Sequence, residues 1–326
     1  MPIINSKSDQ NKILPMSYLW AHKYFRHSMT RQWMPEDISM QLDVEQWRSM
    51  NILTDDERTM VLRNIGYFST ASSFMADNIV LTAYKHITNP ECRQYLLRQA
   101  YETSIHTDAF IQCCDTLGLD PDEIYSMHQN IETIKAKDDF VAKFAVPLKD
   151  PKFSITSTKG IQQFVLNLVG NYVVMEGLFF YTSFAMMLML RRRDKMAGVG
   201  QLFENIMQDA TVHLAFGCDI IKEICIENPK VWTPAFKSEI IDMIKEAVDL
   251  EKEYVSEACP HGLMGIDAVL FSQYIDYIAD TRLEQIGLPK LFQQVNPFKW
   301  LSQSVSMKDK GVFNSSHEYH TSDVKW

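Results

Sequence analysis

From Phe164 to Leu190 the chain is almost continuously apolar, and three residues inside that run decide what it is. Its length would let it cross a bilayer, and Arg191, Arg192 and Arg193 close it. But Asn167, Asn171 and Glu176 lie within it, and a carboxylate at mid-bilayer costs about 2.5–3.5 kcal/mol. No other segment is like it. The run is therefore expected to be the central helix of a water-soluble core, with no membrane span. Glu176, buried there, needs a cation, a hydrogen-bond donor or a proton.

Helical periodicity dominates the rest. Thr54, followed by Asp55, Asp56 and Glu57, predicts a helix start, and that helix runs on through Tyr84. Asn89-Pro90 opens another that reaches Leu117, where Gly118 and Asp120-Pro121 end it. Further helices are expected from Pro121, over Ile131 to Lys143, from about Gly160, after Gly198 and Gly200 to Glu227, from Thr233-Pro234 to Cys259, and from Asp267 to Ile286. Pro260 to Gly265 reads as a loop. No domain boundary interrupts the series. The expected architecture is one all-α domain, residues 1–302, and a flexible polar tail, 303–326, carrying Tyr319 and Trp326. Aromatics on a polar tail are the pattern of a peptide that docks on a partner.

The net charge of −9 excludes sequence-independent nucleic-acid binding, which needs a basic footprint. The six cysteines form no CxxC pair and no zinc spacing. They read as reduced and structural, which implies a reducing compartment. Residues 1–18 lack the apolar stretch of a signal peptide, and a cytoplasmic location is expected.

Three helices each carry one histidine or glutamate on an apolar face, and a fourth carries a serine. Thr103, His106, Phe110, Cys113 and Leu117 share a face, and so do Phe203, Ile206, Ala210, His213, Gly217 and Ile220. Glu176 falls with Val169, Val173, Phe180 and Ser183, and Ser72 with Leu62, Ile65, Ser69 and Ile79. A single inward histidine is most simply a core residue bonded to a neighbour. Two histidines and a glutamate together point to a polar pocket inside a bundle, and a metal site is the first guess. Pattern alone leaves both readings open.

Six stretches resolve the family. "NPECRQYLLRQAYETSIHTDAF", "NYVVMEGLFFYTSFAMMLML", "QDATVHLAFGCDII", "ADTRLEQIGLPK", "NPFKWLSQ" and the tail "HEYHTSDVKW" resemble the small subunit of class I ribonucleotide reductase. The resemblance covers Trp20 to Trp326 and implies a ferritin-like helical bundle with additional helices. It implies a subunit of an oxidoreductase of deoxyribonucleotide synthesis, a homodimer or a heterodimer with an intact small subunit, and docking on the large subunit through the tail. It also implies a dinuclear iron or manganese/iron cofactor. In ferritin-like dimetal proteins two helices each give a Glu-x-x-His pair and two others each give a carboxylate. The chain is most similar to the subgroup with phenylalanine at the radical-tyrosine position, since Phe110 stands four residues after His106.

Matched residue by residue, His106, Glu176 and His213 keep ligand types, whereas Ser72, Thr103 and Ala210 stand where the family carries carboxylates. One glutamate supplies neither the oxygen ligands nor the charge that two ions need. Glu102 and Asp209 match acidic neighbours of the ligands and are expected to point about 100° away from the lost positions. A single ion on two histidines and Glu176 conflicts with the family pattern, in which each histidine serves a different ion. The transfer route looks better kept: Trp33 matches the family's transfer tryptophan, Asp209 its aspartate partner and Tyr319 the tail tyrosine.

Three functional readings follow. The chain is a metal-site-degenerate small subunit with a structural or regulatory role. Or it is an active radical-generating subunit with a non-standard oxidant or metal site. Or it is a ferritin-like oxidase or ligand-binding protein unrelated to nucleotides.

Overall fold

The structure, a computed structural model, describes residues 2–6, 13–261 and 268–301. The elements run α1 (Leu19–Met29), a 3₁₀ turn (Pro35–Asp37), α2 (Gln41–Arg48), α3 (Asp55–Asn78), a π turn (Ile79–Ala83) and α4 (Tyr84–His86). They continue with α5 (Pro90–Leu117), α6 (Pro121–Asn130), α7 (Glu132–Lys149), α8 (Thr158–Leu168), a π segment (Val169–Phe179) and α9 (Phe180–Arg191). The series ends with α10 (Ala197–Glu227), α11 (Pro234–Ala258) and α12 (Ala268–Gln285). No strand occurs among the described residues, only an isolated antiparallel bridge between Ile4 and Ile87. The tail, with Tyr319, and most of the expected 260–265 loop lie outside the described residues.

Local chemistry sets the boundaries. Thr54 and Glu57 form a reciprocal cap: Glu57 N donates to Thr54 Oγ1 at 3.2 Å, and Thr54 N to Glu57 Oε2 at 2.9 Å. Asn89 caps α5 through Cys92 N at 2.9 Å, and Gly118 ends it with φ +68°. Thr233 caps α11 through Phe236 N. The helix expected to follow Gly198 and Gly200 instead begins at Ala197. Its cap comes from a distance, because the buried Asp43 on α2 accepts from Gly198 N (3.0 Å) and Val199 N (2.9 Å). The α1 and α2 helices were not legible in the sequence, and neither has a side-chain cap.

The central run forms α8, the π segment and α9, and the apolar window within Thr158–Arg191 is wholly buried. It is a core helix. Its middle is not α-helical as expected, and because every residue from Val169 to Phe179 is buried, Glu176 lies on no single apolar face. The α10 helix packs on the π segment and α9, and α5 packs on α3 and α1. Four of these elements, α3, α5, the π segment and α10, carry the polar residues singled out above.

The first residues seal one end of the bundle. Ile3 and Ile4 are buried, and Ile3 N donates to both carboxylate oxygens of Glu227 at 3.0 and 3.1 Å. Thr88 N donates to Ile3 O at 2.7 Å.

On α7, burial lifts the Asp138 carboxyl to about 7, although Lys137 and His128 pull the other way. A raised carboxyl favours the folded protein while protonated. That contribution is complete below pH 3.8 and is lost as pH rises through about 7. Asp138→Asn is therefore expected to gain about 1–2 kcal/mol at pH 8 and little at pH 4, the gain being held down by the side chain's partial exposure. Urea titrations of both proteins at the two pH values check this.

Candidate functional site

Six sequence positions lie buried on four helical segments of the core. The α3 helix contributes Ser72, α5 Thr103 and His106, the π segment Glu176, and α10 Ala210 and His213. The two imidazoles face each other with ring centroids 6.0 Å apart. Thr103 Oγ1 donates to Gln99 O of its own helix at 2.9 Å, so its hydroxyl proton is committed to the backbone. Ala210 offers a methyl group.

Each histidine is held by carboxylates. His106 Nε2 lies 3.0 Å from Asp209 Oδ2, and Trp33 Nε1 donates to the same oxygen at 2.8 Å. The Trp33 and His106 rings stack at 6.2 Å with 19° between their planes. The structure thus brings together Trp33, Asp209 and His106. On the other side, His213 Nδ1 lies 3.1 Å from Glu176 Oε1, and His213 Nε2 lies 3.0 Å from Glu102 Oε2.

Glu102 and Asp209 were both expected to point away from the lost positions, yet their carboxylates reach His213 and His106. A glutamate has three side-chain torsions, enough to swing its carboxylate across the roughly 100° between successive positions of a helix. Arg98, one turn earlier, steadies it: Arg98 Nε donates to Glu102 Oε1 at 3.0 Å. A sequence signal was available, since Arg98 and Glu102 stand four apart and so share a helix face.

The electrostatics follow from these contacts. Burial works against a charged His213, but the Glu176 and Glu102 carboxylates outweigh it and hold the imidazole up to about 10. The ring is then an imidazolium with an N–H for each carboxylate. Burial also opposes an ionised Asp209, yet the bond and charge of His106, with help from His213 and Trp33, keep its carboxyl below the usual range. Glu176 Oε2 is buried with no hydrogen-bond partner among the described residues.

Phe110 packs among aromatic rings. Its ring lies 5.3 Å from Phe68 and 5.6 Å from Phe203, and Phe68 in turn packs on Phe180 at 4.4 Å. The cluster is apolar around position 110, which carries no phenol.

The sequence matches the profile of the family described as "Ribonucleotide reductase, small chain" over residues 10–297. It is 43% identical over 321 residues to the ribonucleoside-diphosphate reductase subunit beta of Chlamydia pneumoniae, covering 98% of this chain and 92% of that one. It is 25% identical over 312 residues to a ribonucleoside-diphosphate reductase small chain of Arabidopsis thaliana, covering 96% and 85%. Among solved structures, the ribonucleotide reductase R2 subunit from Clostridium botulinum superposes with a TM-score of 0.85 at 26% identity, over 94% of this chain and 95% of that one.

Proposed function

Since this chain belongs to the small-chain family of the oxidoreductase ribonucleotide reductase, we propose that it acts as a structural or regulatory small subunit that does not generate the oxidant by itself. It pairs with a second copy or with an intact small subunit and docks on the large subunit through residues 303–326. The observation that carries this reading is the donor set. The family's dimetal site draws on carboxylates from several helices, and here Ser72, Thr103 and Ala210 supply none. Thr103 already bonds Gln99 O, and His213 already has a carboxylate on each ring nitrogen. Glu102 and Asp209 do reach the histidines, but Glu102 is also held by Arg98 and Asp209 by Trp33, so these residues do not fit a pair of ions. Phe110 cannot store an oxidising equivalent as a tyrosyl radical, so neither usual store has its side chains.

What the chain's own residues do is hold and orient. Asp209 fixes the Trp33 indole and the His106 ring in one plane-to-plane stack. Glu102 and Glu176 fix His213. Trp33, Asp209 and Tyr319 remain the residues through which an electron would pass if a partner supplied the oxidant.

One observation favours the active reading. The Trp33–Asp209–His106 chain is complete, and Glu176 keeps an unpartnered oxygen. Metal content separates the two. After expression in iron- and manganese-rich medium and chelator-free purification, we expect well under one ion per chain, a melting temperature unmoved by chelator, and no turnover with the large subunit alone. Binding to the large subunit is expected to disappear when Tyr319 to Trp326 are removed. About two ions per chain with reductase turnover would overturn the proposal.

A further inference from the structure

Arg98 uses its whole guanidinium, and its contacts tie the pocket to the segment that carries Trp33. Nε donates to Glu102 Oε1 at 3.0 Å. One terminal nitrogen donates to Gln32 Oε1 at 2.8 Å, the other to Ser28 O near the end of α1 at 3.1 Å. The group lies over the Tyr101 ring at 5.1 Å, and Gln32 Nε2 donates to Tyr101 Oη at 3.1 Å. Arg98 is buried, so its bonds to Glu102 and Ser28 form away from competing water, while those of Gln32 lie at the surface.

Two routes therefore lead from the histidines to Trp33. One is direct, through Asp209. The other runs from Glu176 through His213, Glu102, Arg98 and Gln32 to the backbone beside Trp33. Together they close a circuit around the pocket in which every link is a protein hydrogen bond or an aromatic contact, with the Trp33–His106 stack facing the His106–His213 pair.

We infer that Arg98 and Glu102 are positioning residues for Trp33: they hold the segment Ser28–Trp33 at a fixed depth against the pocket. The planar fork is what the task requires. A lysine would keep the charge beside Glu102 but could not reach Glu102, Gln32 and Ser28 at fixed angles. The inference concerns the same pocket as the proposed function, but its readout needs no turnover, so its failure leaves that proposal standing.

The test reads the emission of Trp33 in the full chain, isolated by subtracting the spectrum of Trp33→Phe from that of each protein. We expect Arg98→Lys and Glu102→Gln to shift Trp33 emission to the red, although neither residue hydrogen-bonds the indole, whose N–H goes to Asp209. Gln32→Ala, an exposed change that leaves the fold intact, should give the same shift. Trp33 emission unchanged in a folded Arg98→Lys protein overturns the inference. A shift in Gln32→Ala with none in Glu102→Gln also overturns it, because the pocket is then not linked to the segment. If Arg98→Lys does not fold, the other two variants decide the matter by the same criteria.

Discussion

Replacing Lys137 by Met is expected to cost about 3–5 kcal/mol, the largest effect of any single change away from the site. Lys137 on α7 and Glu251 on α11 are both 0% exposed, with Nζ 2.8 Å from Oε2. The ammonium lies 3.8 Å from the ring centroids of Tyr67 and Tyr254 and 4.7 Å from that of Phe179. Burial dominates on both sides of the pair: it lowers the Lys137 pKa and raises that of Glu251, and the partner returns only part of each displacement. Removing one member leaves the other charge fully buried without its counter-charge. Removing both should not. Lys137→Met with Glu251→Leu is expected to come within about 1–2 kcal/mol of the parent, since apolar replacement of a whole buried pair is often neutral. Equilibrium urea unfolding of the two single variants and the double variant closes the cycle. A Lys137→Met protein as stable as the parent would show that the pair does not hold α7 to α11.

Gly217→Ala is expected to sit at or above the upper end of the roughly 1–3 kcal/mol that overpacking costs. A Cβ at this position of α10 would lie 2.1 Å from Tyr172 Cγ and 2.5 Å from Tyr172 Cβ and Cδ1. The ring cannot retreat, because it is buried and its hydroxyl donates to Gln99 Oε1 at 2.8 Å. Relief must come from parting α10 from the π segment. Tyr172 lies one wide turn before Glu176, and Gly217 one turn after His213, so the same parting would lengthen the Glu176–His213 bond. Denaturation midpoints should fall, and the imidazole proton signals of His213 should move with them. A variant that unfolds at the parent's midpoint would mean that the helices have slack at this crossing.

How far the sequence reaches can be judged from particular residues. Caps at Thr54, Asn89 and Thr233 were legible because their partners lie three residues away. The burial of His106, His213 and Glu176 was legible because an apolar face or run identifies its odd member. The Asp43 cap of α10 was not, since a helix start supplied from another helix leaves no local trace. Lys137 was hidden for a similar reason. It sits in "KAKDDF", which reads as a solvated stretch, and nothing nearby names Glu251 as its partner. Glu102 was set aside on a rule about Cα direction that ignores side-chain reach. The π geometry of Val169–Phe179 escaped because a run buried all round has no periodicity to betray a change of pitch.

The seal made by Ile3 also sets an order of assembly. Its amide bonds Glu227, 224 residues downstream, so at about 5–20 residues per second the acceptor leaves the ribosome roughly 11–45 seconds after the donor. Ile87 and Thr88 emerge much sooner and can hold Ile3 and Ile4 in a first, weaker clasp. Until the end of α10 is made, the Ile3 amide has no Glu227 carboxylate to answer it, so this end of the bundle closes late.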